Sequence, residues 1–86
     1  MKYTVIISRP AQKVIDRLEI DLFNRIVKKL KKLEDNPRPQ GVEKLTGETD
    51  VYRVRVGDWR IVYQIRDREL IVLVAKVAHR REIYRG

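Results

Sequence analysis

At 86 residues, 43% of them hydrophobic, the chain is long enough for one small domain, which we expect over residues 1–86, and too short for two. The absence of cysteine and the presence of one histidine, His79, exclude disulfides, thiolate nucleophiles and histidine-rich metal sites, and argue against a serine triad. The 20 Lys and Arg against 12 Asp and Glu give a formal charge of +8. This charge favours a polyanionic partner such as nucleic acid, with a merely solvated surface as the alternative.

Nothing in the sequence points to a membrane or to export. No segment approaches the roughly 18 apolar residues of a membrane span. The first ten residues, MKYTVIISRP, lack the longer apolar core and the small-residue cleavage site of a signal peptide. We therefore expect a cytoplasmic protein that does not bind membranes.

The N-terminal third of the chain predicts a strand and a first helix. Residues 2–7, KYTVII, are rich in β-branched side chains and are typical of a strand. Ser8 is a suitable helix cap, and Pro10 suits the first helical turn, where a missing N–H group costs little. The apolar positions that follow recur at helical spacing as far as Leu18. They predict a helix of about three turns.

A second helix is predicted from Asp21, as a possible cap, to a point before Pro37. Its apolar positions at helical spacing are Leu22, Ile26, Leu30 and Leu33. Lys28, Lys31 and Lys32 lie opposite this stripe. We interpret these lysines as a solvated face that also complements the helix dipole, in preference to a contact with RNA.

The second half of the chain predicts strands. Residues 36–50, NPRPQGVEKLTGETD, break the helical period with prolines and glycines and predict a loop with a short extended piece at residues 42–45. Three strands are expected at residues 51–56, 59–65 and 70–78. The layout β-α-α-β-β-β predicts an α+β fold, in which a helical hairpin packs on one face of a small antiparallel sheet and leaves the other face open.

The two-residue turn GD in VYRVRVGDWRIVYQI fixes the register of the first hairpin and brings Arg55 opposite Arg60. One face of the hairpin then carries apolar side chains, and the other carries Arg53, Arg55 and Arg60. Like charges in this position destabilise a strand pair by up to about 1 kcal/mol. Since local faults of this kind are typical of functional sites, we interpret the pair as an anion site. The alternatives are neutralisation by a carboxylate such as Asp58 or Glu48, or side chains that splay into water.

We expect four side chains of the third strand to lie on the arginine face, namely those of Ile71, Leu73, Ala75 and Val77. The cluster should be bordered by the C-terminal residues His79, Arg80, Arg81, Tyr84 and Arg85. Cations, one imidazole and one phenol suit RNA cleavage, in which the substrate's 2′-OH attacks the adjacent phosphate. This reaction needs no metal and no protein nucleophile, but it does need charge stabilisation and proton transfer.

The motifs of this chain resemble those of the RelE/ParE superfamily of type II toxin–antitoxin toxins. EKLTGETDVYRVRVGDWRIVYQI followed by VAKVAHRREIYR is similar to the family's KL-x-G loop, Y-[RK]-[IV]-[RK]-x-G-[DS]-[YW]-R-[IL]-[IVL]-Y hairpin and terminal [GA]-[HK]-R-x-x-[VI]-Y. The resemblance covers essentially the whole chain. It implies a RelE-like fold and an mRNA endonuclease that enters the ribosomal A site, beside ribosomal RNA, and works without a cofactor. It also implies a cognate, RelB-like antitoxin that silences the toxin.

Carried over by motif, the resemblance implies which residues act. The expected catalytic residues are Arg55, Arg60, Arg80, Tyr84 and His79. Arg53, which matches the other family cation of the first hairpin strand, is expected to bind RNA. Beyond the motif positions, we also expect Arg81, Arg85 and Lys44 to bind RNA. Where the best-described RelE enzyme has lysines in the first hairpin strand, this chain has arginines, and arginine is a poor general base because its pKa lies above about 12. The base is therefore expected to be Tyr84, if neighbouring arginines lower its pKa, or His79.

Two other functions are compatible with the same sequence. One is a ParE-like toxin that blocks DNA gyrase by binding, and the other is a non-catalytic, basic family member that acts by binding alone. The arginine face and the terminal His-Arg…Tyr group occur together in this chain, and gyrase binding would not need that combination. Their joint presence favours RNA cleavage.

Overall fold

The computed structural model describes residues 2–45, 47 and 49–83, with the backbone alone at residue 83. The strands are β1 Thr4–Ile7, β2 Glu43–Lys44, β3 Val51–Val56, β4 Trp59–Arg66 and β5 Ile71–His79. The helices are α1 Arg9–Asp16, α2 Ile20–Asp35 and α3 Arg80–Ile83. The strands form one sheet in the order β1-β5-β4-β3-β2. The predicted α+β fold is confirmed, with β2 at the predicted extended piece and α3 as an element that was not predicted.

The sheet is antiparallel except at one edge. β5, β4, β3 and β2 pair in antiparallel fashion, whereas β1 pairs with β5 in parallel. The sequence predicted antiparallel pairing throughout. The difference arises because β1 and β5 are far apart in the chain, so no tight turn dictates their relative direction. None of the described helices is long and apolar enough to cross a membrane.

Side-chain caps define where the two long helices begin. Ser8 has an extended backbone, and its hydroxyl accepts the N–H of Ala11 at 3.4 Å, which confirms the predicted cap of α1. This helix has 8 residues, about two turns rather than three. The cap of α2 is Glu19, whose carboxylate accepts the N–H of Leu22 at 3.3 Å. Asp21 was therefore the wrong cap; it lies in the first turn, where its charge complements the helix dipole.

The register predicted from the GD turn is confirmed. The pairs are Val56 with Trp59, Arg55 with Arg60, Val54 with Ile61, Arg53 with Val62 and Tyr52 with Tyr63. The apolar face of this hairpin packs with α1 and α2 into one hydrophobic cluster. Tyr63 is fully buried there, and its hydroxyl donates to the Pro37 carbonyl at 2.7 Å. Burial raises the pKa of this phenol.

A β-bulge changes the faces of β5. The pairing of β4 with β5 shifts between Val62 and Tyr63 and leaves Ala75 as the extra residue. The hydroxyl of Ser8 donates to the Ala75 carbonyl at 3.0 Å. Val77 lies beyond the bulge and is buried in the core at 2% exposure. The prediction that Val77 lies on the arginine face was wrong, because one extra residue inverts the alternation of a strand.

Arg38 joins three parts of the chain at the end of the sheet that lies away from the β3–β4 turn. Its guanidinium donates to both carboxylate oxygens of Asp67 at 3.2 and 2.9 Å, and its Nε donates to the hydroxyl of Tyr52 at 3.1 Å. The hydroxyl of Tyr3 also donates to Asp67, at 2.6 Å. Hydrogen bonds from Arg38 and then Tyr3 lower the pKa of the Asp67 carboxyl, because both favour its charged form.

Replacing Asp67 by Asn should alter the acid dependence of stability. The pKa of Asp67 in the folded state lies below its unfolded value of about 3.9. Its contribution to stability is therefore present above that value and lost as the pH falls through the folded pKa. In urea unfolding, we expect Asp67→Asn to be less stable than the native chain at neutral pH and to lose less stability between about pH 5 and pH 2.

Asp35→Asn is the matched control, since this exposed carboxylate lies 3.9 Å from Lys2. It should keep the native acid profile. An unchanged acid profile in Asp67→Asn would contradict the assignment.

Candidate functional site

Arg55 and Arg60 lie opposite each other on the face that α1 and α2 leave uncovered, and they share one acceptor. Arg55 donates from Nε to the carbonyl oxygen of Gly57 at 3.2 Å, and Arg60 donates from Nη1 to the same oxygen at 3.3 Å. Arg60 also donates to the carbonyl of Trp59 at 3.1 Å. A carbonyl oxygen has no net charge, so these contacts orient both guanidinium groups without neutralising them.

No carboxylate in the described part of the chain lies within 4.0 Å of the side-chain nitrogens of Arg55 or Arg60. Asp58, which follows directly in the turn, pairs with neither arginine. Glu48, the other expected neutraliser, lies outside the described residues. Two adjacent guanidinium groups with no acid partner among these residues form a site suited to an anion.

Arg53 differs from the other two arginines of its face because a carboxylate holds it. Its Nη2 donates to both oxygens of Glu43 at 3.0 and 2.6 Å, across the β2–β3 pair. The Arg53 side chain is only 17% exposed. An RNA phosphate at Arg53 would compete with this ion pair, and the RNA-binding role of Arg53 stays a prediction.

Lys44 is exposed, but the structure does not bring it to the arginine face. It pairs with Tyr52, whose side chain is buried in the core. Because successive residues of a strand point to opposite faces, Lys44 belongs to the helix side of the sheet edge. Lys44 thus lies apart from the arginine pair, and its RNA-binding role stays a prediction.

His79 lies on the other side of the sheet from the arginine pair. It pairs with Trp59, and the two rings meet edge to face with their centroids 5.7 Å apart. The expectation that His79 borders the arginine face was wrong, because the bulge in β5 reverses the alternation before it. The backbone N–H of Arg81 approaches its Nδ1 at 3.3 Å, which leaves Nε2 as the atom open to a ligand.

The first residue of α3 is hydrogen-bonded to the hairpin turn. The backbone N–H of Arg80 donates to the carbonyl of Asp58 at 2.8 Å, so α3 begins directly beside the turn. Arg80 and Arg81 are exposed. A cleft of about 670 Å³ is lined by Asp58, His79, Arg80, Arg81 and Glu82. Two predicted site residues of this region, Tyr84 and Arg85, lie outside the described residues.

A second cleft, of about 310 Å³, was not anticipated from the sequence. It is lined by Arg25, Lys28, Lys29, Lys32, Arg55, Val56 and Gly57. The lysines of α2 had been interpreted as a solvated face. Their helical spacing is visible in the sequence, but only the packing of α2 beside the β3–β4 turn reveals that they face Arg55.

The uncovered face also carries an apolar band on β1 and β5. Ile6, which is 44% exposed, pairs with Leu73. Ile71 and Leu73 precede the bulge and alternate with Val72, which is fully buried on the other face. The predicted side of Ile71 and Leu73 is thus correct, unlike that of Val77.

Comparisons with known proteins agree with this architecture. The sequence model of the family described as ParE toxin of the type II toxin–antitoxin system parDE matches residues 5–84. A RelE-like toxin protein of Escherichia coli is 37% identical over 82 residues, which cover 93% of this chain and 85% of that protein.

Solved structures of the same family superpose closely. A chain of the intact E. coli RelBE toxin–antitoxin complex has a TM-score of 0.80 at 28% identity, with 90% of this chain and 95% of that chain covered. A chain of the archaeal RelE–RelB complex from Pyrococcus horikoshii OT3 has a TM-score of 0.81 at 26% identity, with 100% of both chains covered.

Arg55→Gln should stabilise the fold and weaken anion binding at the same time. The substitution removes the like-charge pair with Arg60, and we expect the free energy of unfolding to rise by up to about 1 kcal/mol. Binding of pyrophosphate, measured by calorimetry, should weaken. Arg66→Gln is the control, because Arg66 is exposed on the same strand as Arg60 but pairs with the apolar Ile71. Destabilisation by Arg55→Gln, or unchanged pyrophosphate affinity, would contradict this interpretation.

Proposed function

Because the chain belongs to the RelE/ParE family of toxins of type II toxin–antitoxin systems, we propose that it is an endoribonuclease that cuts mRNA in the ribosomal A site. The chain is the toxin of a RelBE-type toxin–antitoxin system. Its activity would stop translation in the cytoplasm, where ribosomes and messages meet. In the proposed reaction, a substrate 2′-OH loses its proton and attacks the adjacent phosphate to form a 2′,3′-cyclic phosphate. The bond to the 5′-oxygen of the next nucleotide breaks, and that oxygen leaves as a hydroxyl after it takes up a proton.

The observation that carries this proposal is the arginine pair on the turn carbonyl. Arg55 and Arg60 are held by the oxygen of Gly57, and neither has a carboxylate partner among the described residues. A phosphate oxygen carries more charge than an amide carbonyl and is the stronger acceptor. A phosphate would therefore take over these contacts, and the two cations would stabilise the added negative charge of the phosphorane.

Proton transfer requires groups other than these arginines, since a guanidinium remains protonated throughout. His79 offers Nε2, because the N–H of Arg81 faces its Nδ1. Its strand partner Trp59 is adjacent in sequence to Arg60. For His79 to act on the phosphate that the arginine pair holds, that phosphate would have to lie at the end of the hairpin, between the two faces of the sheet. Tyr84 is the second candidate for proton transfer. Arg80, at the start of α3, would supply a further cation.

The proposed protein partner is a cognate, RelB-like antitoxin. Structures with this fold include RelE–RelB complexes from bacteria and archaea. The formal charge of +8 and the apolar band around Ile6 and Leu73 would suit an acidic, amphipathic segment. The remaining proposed partners are the mRNA and the ribosome with its ribosomal RNA.

Gyrase inhibition is the second candidate, because the matching family model carries the name of ParE. The two functions differ in their readout. Primer extension on a translated message should give cuts inside codons at the A site if the chain is an mRNA endonuclease. Intact message together with accumulating relaxed plasmid DNA would instead identify a gyrase inhibitor.

Arg60→Ala should abolish cleavage without unfolding the protein. Loss of one preorganised donor to a transition-state oxyanion typically lowers the rate by about 10²-fold or more. We expect A-site cuts and growth arrest to disappear in this variant. Arg66→Ala, on the same strand and exposed, should retain both. Toxicity that survives in Arg60→Ala and in Arg80→Ala would contradict the phosphate site.

The proton-transfer residue can be identified by single-turnover cleavage with two variants. General acid–base groups typically contribute about 10²-fold to 10⁴-fold to a rate. Tyr84→Phe and His79→Ala should therefore differ, with the larger loss in the variant that lacks the base. Because His79 also packs on Trp59, its variant requires a folding control by circular dichroism. Undiminished cleavage in both variants would exclude both residues.

A further inference from the structure

Three arginines converge on Gly57, and one of them comes from α2. A Cβ atom on Gly57 would lie 3.2 Å from Nη2 and 3.4 Å from Nη1 of Arg25, so this guanidinium lies against the turn. The carbonyl of the same glycine accepts hydrogen bonds from Arg55 and Arg60. The turn thus connects the arginine pair to the cleft beside α2.

The cations of α2 form a row that the helix alone does not explain. Arg25 lies three and four residues before Lys28 and Lys29, and Lys32 lies four and three residues after them. Like charges at these spacings destabilise a helix. The helix dipole favours cations only in the last turn, where Lys32 lies. Within the described ranges, no carboxylate is within 4.0 Å of these four side chains.

We propose that the cleft between α2 and the β3–β4 turn, lined by Arg25, Lys28, Lys29, Lys32 and Arg55, holds the backbone phosphates of the RNA strand that is cut. Arg55 belongs to both the cleft and the arginine pair, so the strand runs continuously from one to the other. At a rise of 1.5 Å per residue, the row from Arg25 to Lys32 extends over about 10 Å, room for more than one phosphate. The inference rests on the proposed function and deepens it.

The lining of the cleft favours a nucleic acid over an acidic protein segment. Among the described residues that line the cleft, Val56 has the one apolar side chain; it is buried at 6% exposure and offers no anchoring surface. A protein segment that folds on a partner draws its affinity mainly from apolar anchors, whereas a phosphodiester chain binds by charge and counterion release. The apolar band of β1 and β5 lies elsewhere, on the uncovered face of the sheet.

The test uses the salt dependence of RNA binding. The probe is a fluorescent, single-stranded nonanucleotide with 2′-O-methyl groups, which block the attacking hydroxyl. The variant is Lys28→Gln with Lys32→Gln, two exposed positions where Gln keeps the helix propensity. Each lost phosphate contact should reduce the slope of log K against log salt by about 0.7, or about 1.4 for the pair.

Lys31→Gln with Lys13→Gln is the matched control. It removes the same charge from exposed positions that do not line the cleft, and Lys31 lies on the same helix. Its slope should equal that of the native chain. Equal slope changes in variant and control, or no change in either, would contradict the proposal that the cleft binds RNA. RNA binding would then depend on the overall positive charge and not on this cleft.

Two further measurements distinguish the RNA strand that is cut from two other possible ligands of the cleft, ribosomal RNA and the antitoxin. If the cleft variant binds the oligonucleotide normally but no longer sediments with ribosomes, ribosomal RNA is the ligand, and the proposal for the cut strand fails. If only the affinity for the antitoxin falls, the cleft is a protein site and the proposal fails as well. Primer extension with the native chain tests the proposed function separately. An uncut message with the expected slope change would refute the proposed function, and the cleft would then be a site for single-stranded RNA that the protein does not cut.

Discussion

The register of the β3–β4 hairpin is the constraint on which the rest of the site depends. Gly57 adopts a φ of +60°, a conformation that L side chains rarely take, and so allows a two-residue turn. The turn places Arg55 opposite Arg60 and leaves its own carbonyl pointing at both guanidinium groups. A slip of one residue would move both arginines to the core face, where their charges would find no partner.

The two ends of the sheet differ in whether their arginines are paired with a carboxylate. At one end, Arg38 is satisfied by Asp67 and by the hydroxyl of Tyr52, and this network joins the residue before β1, the loop after α2, strand β3 and the β4–β5 turn. At the other end, Arg55 and Arg60 share one carbonyl and have no carboxylate partner in the part of the chain that is described. The first arrangement stabilises the fold, while the second opposes it slightly and prepares an anion site.

Sequence reasoning succeeded where the signal was local and failed where distant segments meet. The alternation of β3 and β4, the Ser8 cap and the family motifs were all readable from neighbouring residues. The bulge at Ala75 escaped notice because nothing in an apolar run marks which residue lacks a partner. Because of that single extra residue, Val77 is buried in the core and His79 does not lie on the arginine face.

By itself, the sequence determined the α+β class, the hairpin register and the family, because each rests on side-chain alternation and short motifs. Only the tertiary structure decided which charged side chains form ion pairs and which cations lie together in one cluster. Arg25 and Gly57 are far apart in the chain, and they meet because α2 buries its apolar stripe on the sheet and thereby turns its cations toward the turn. The ion pair of Arg53 with Glu43 likewise required β2 to pair with β3. Such contacts follow from packing over long loops, which no local pattern specifies.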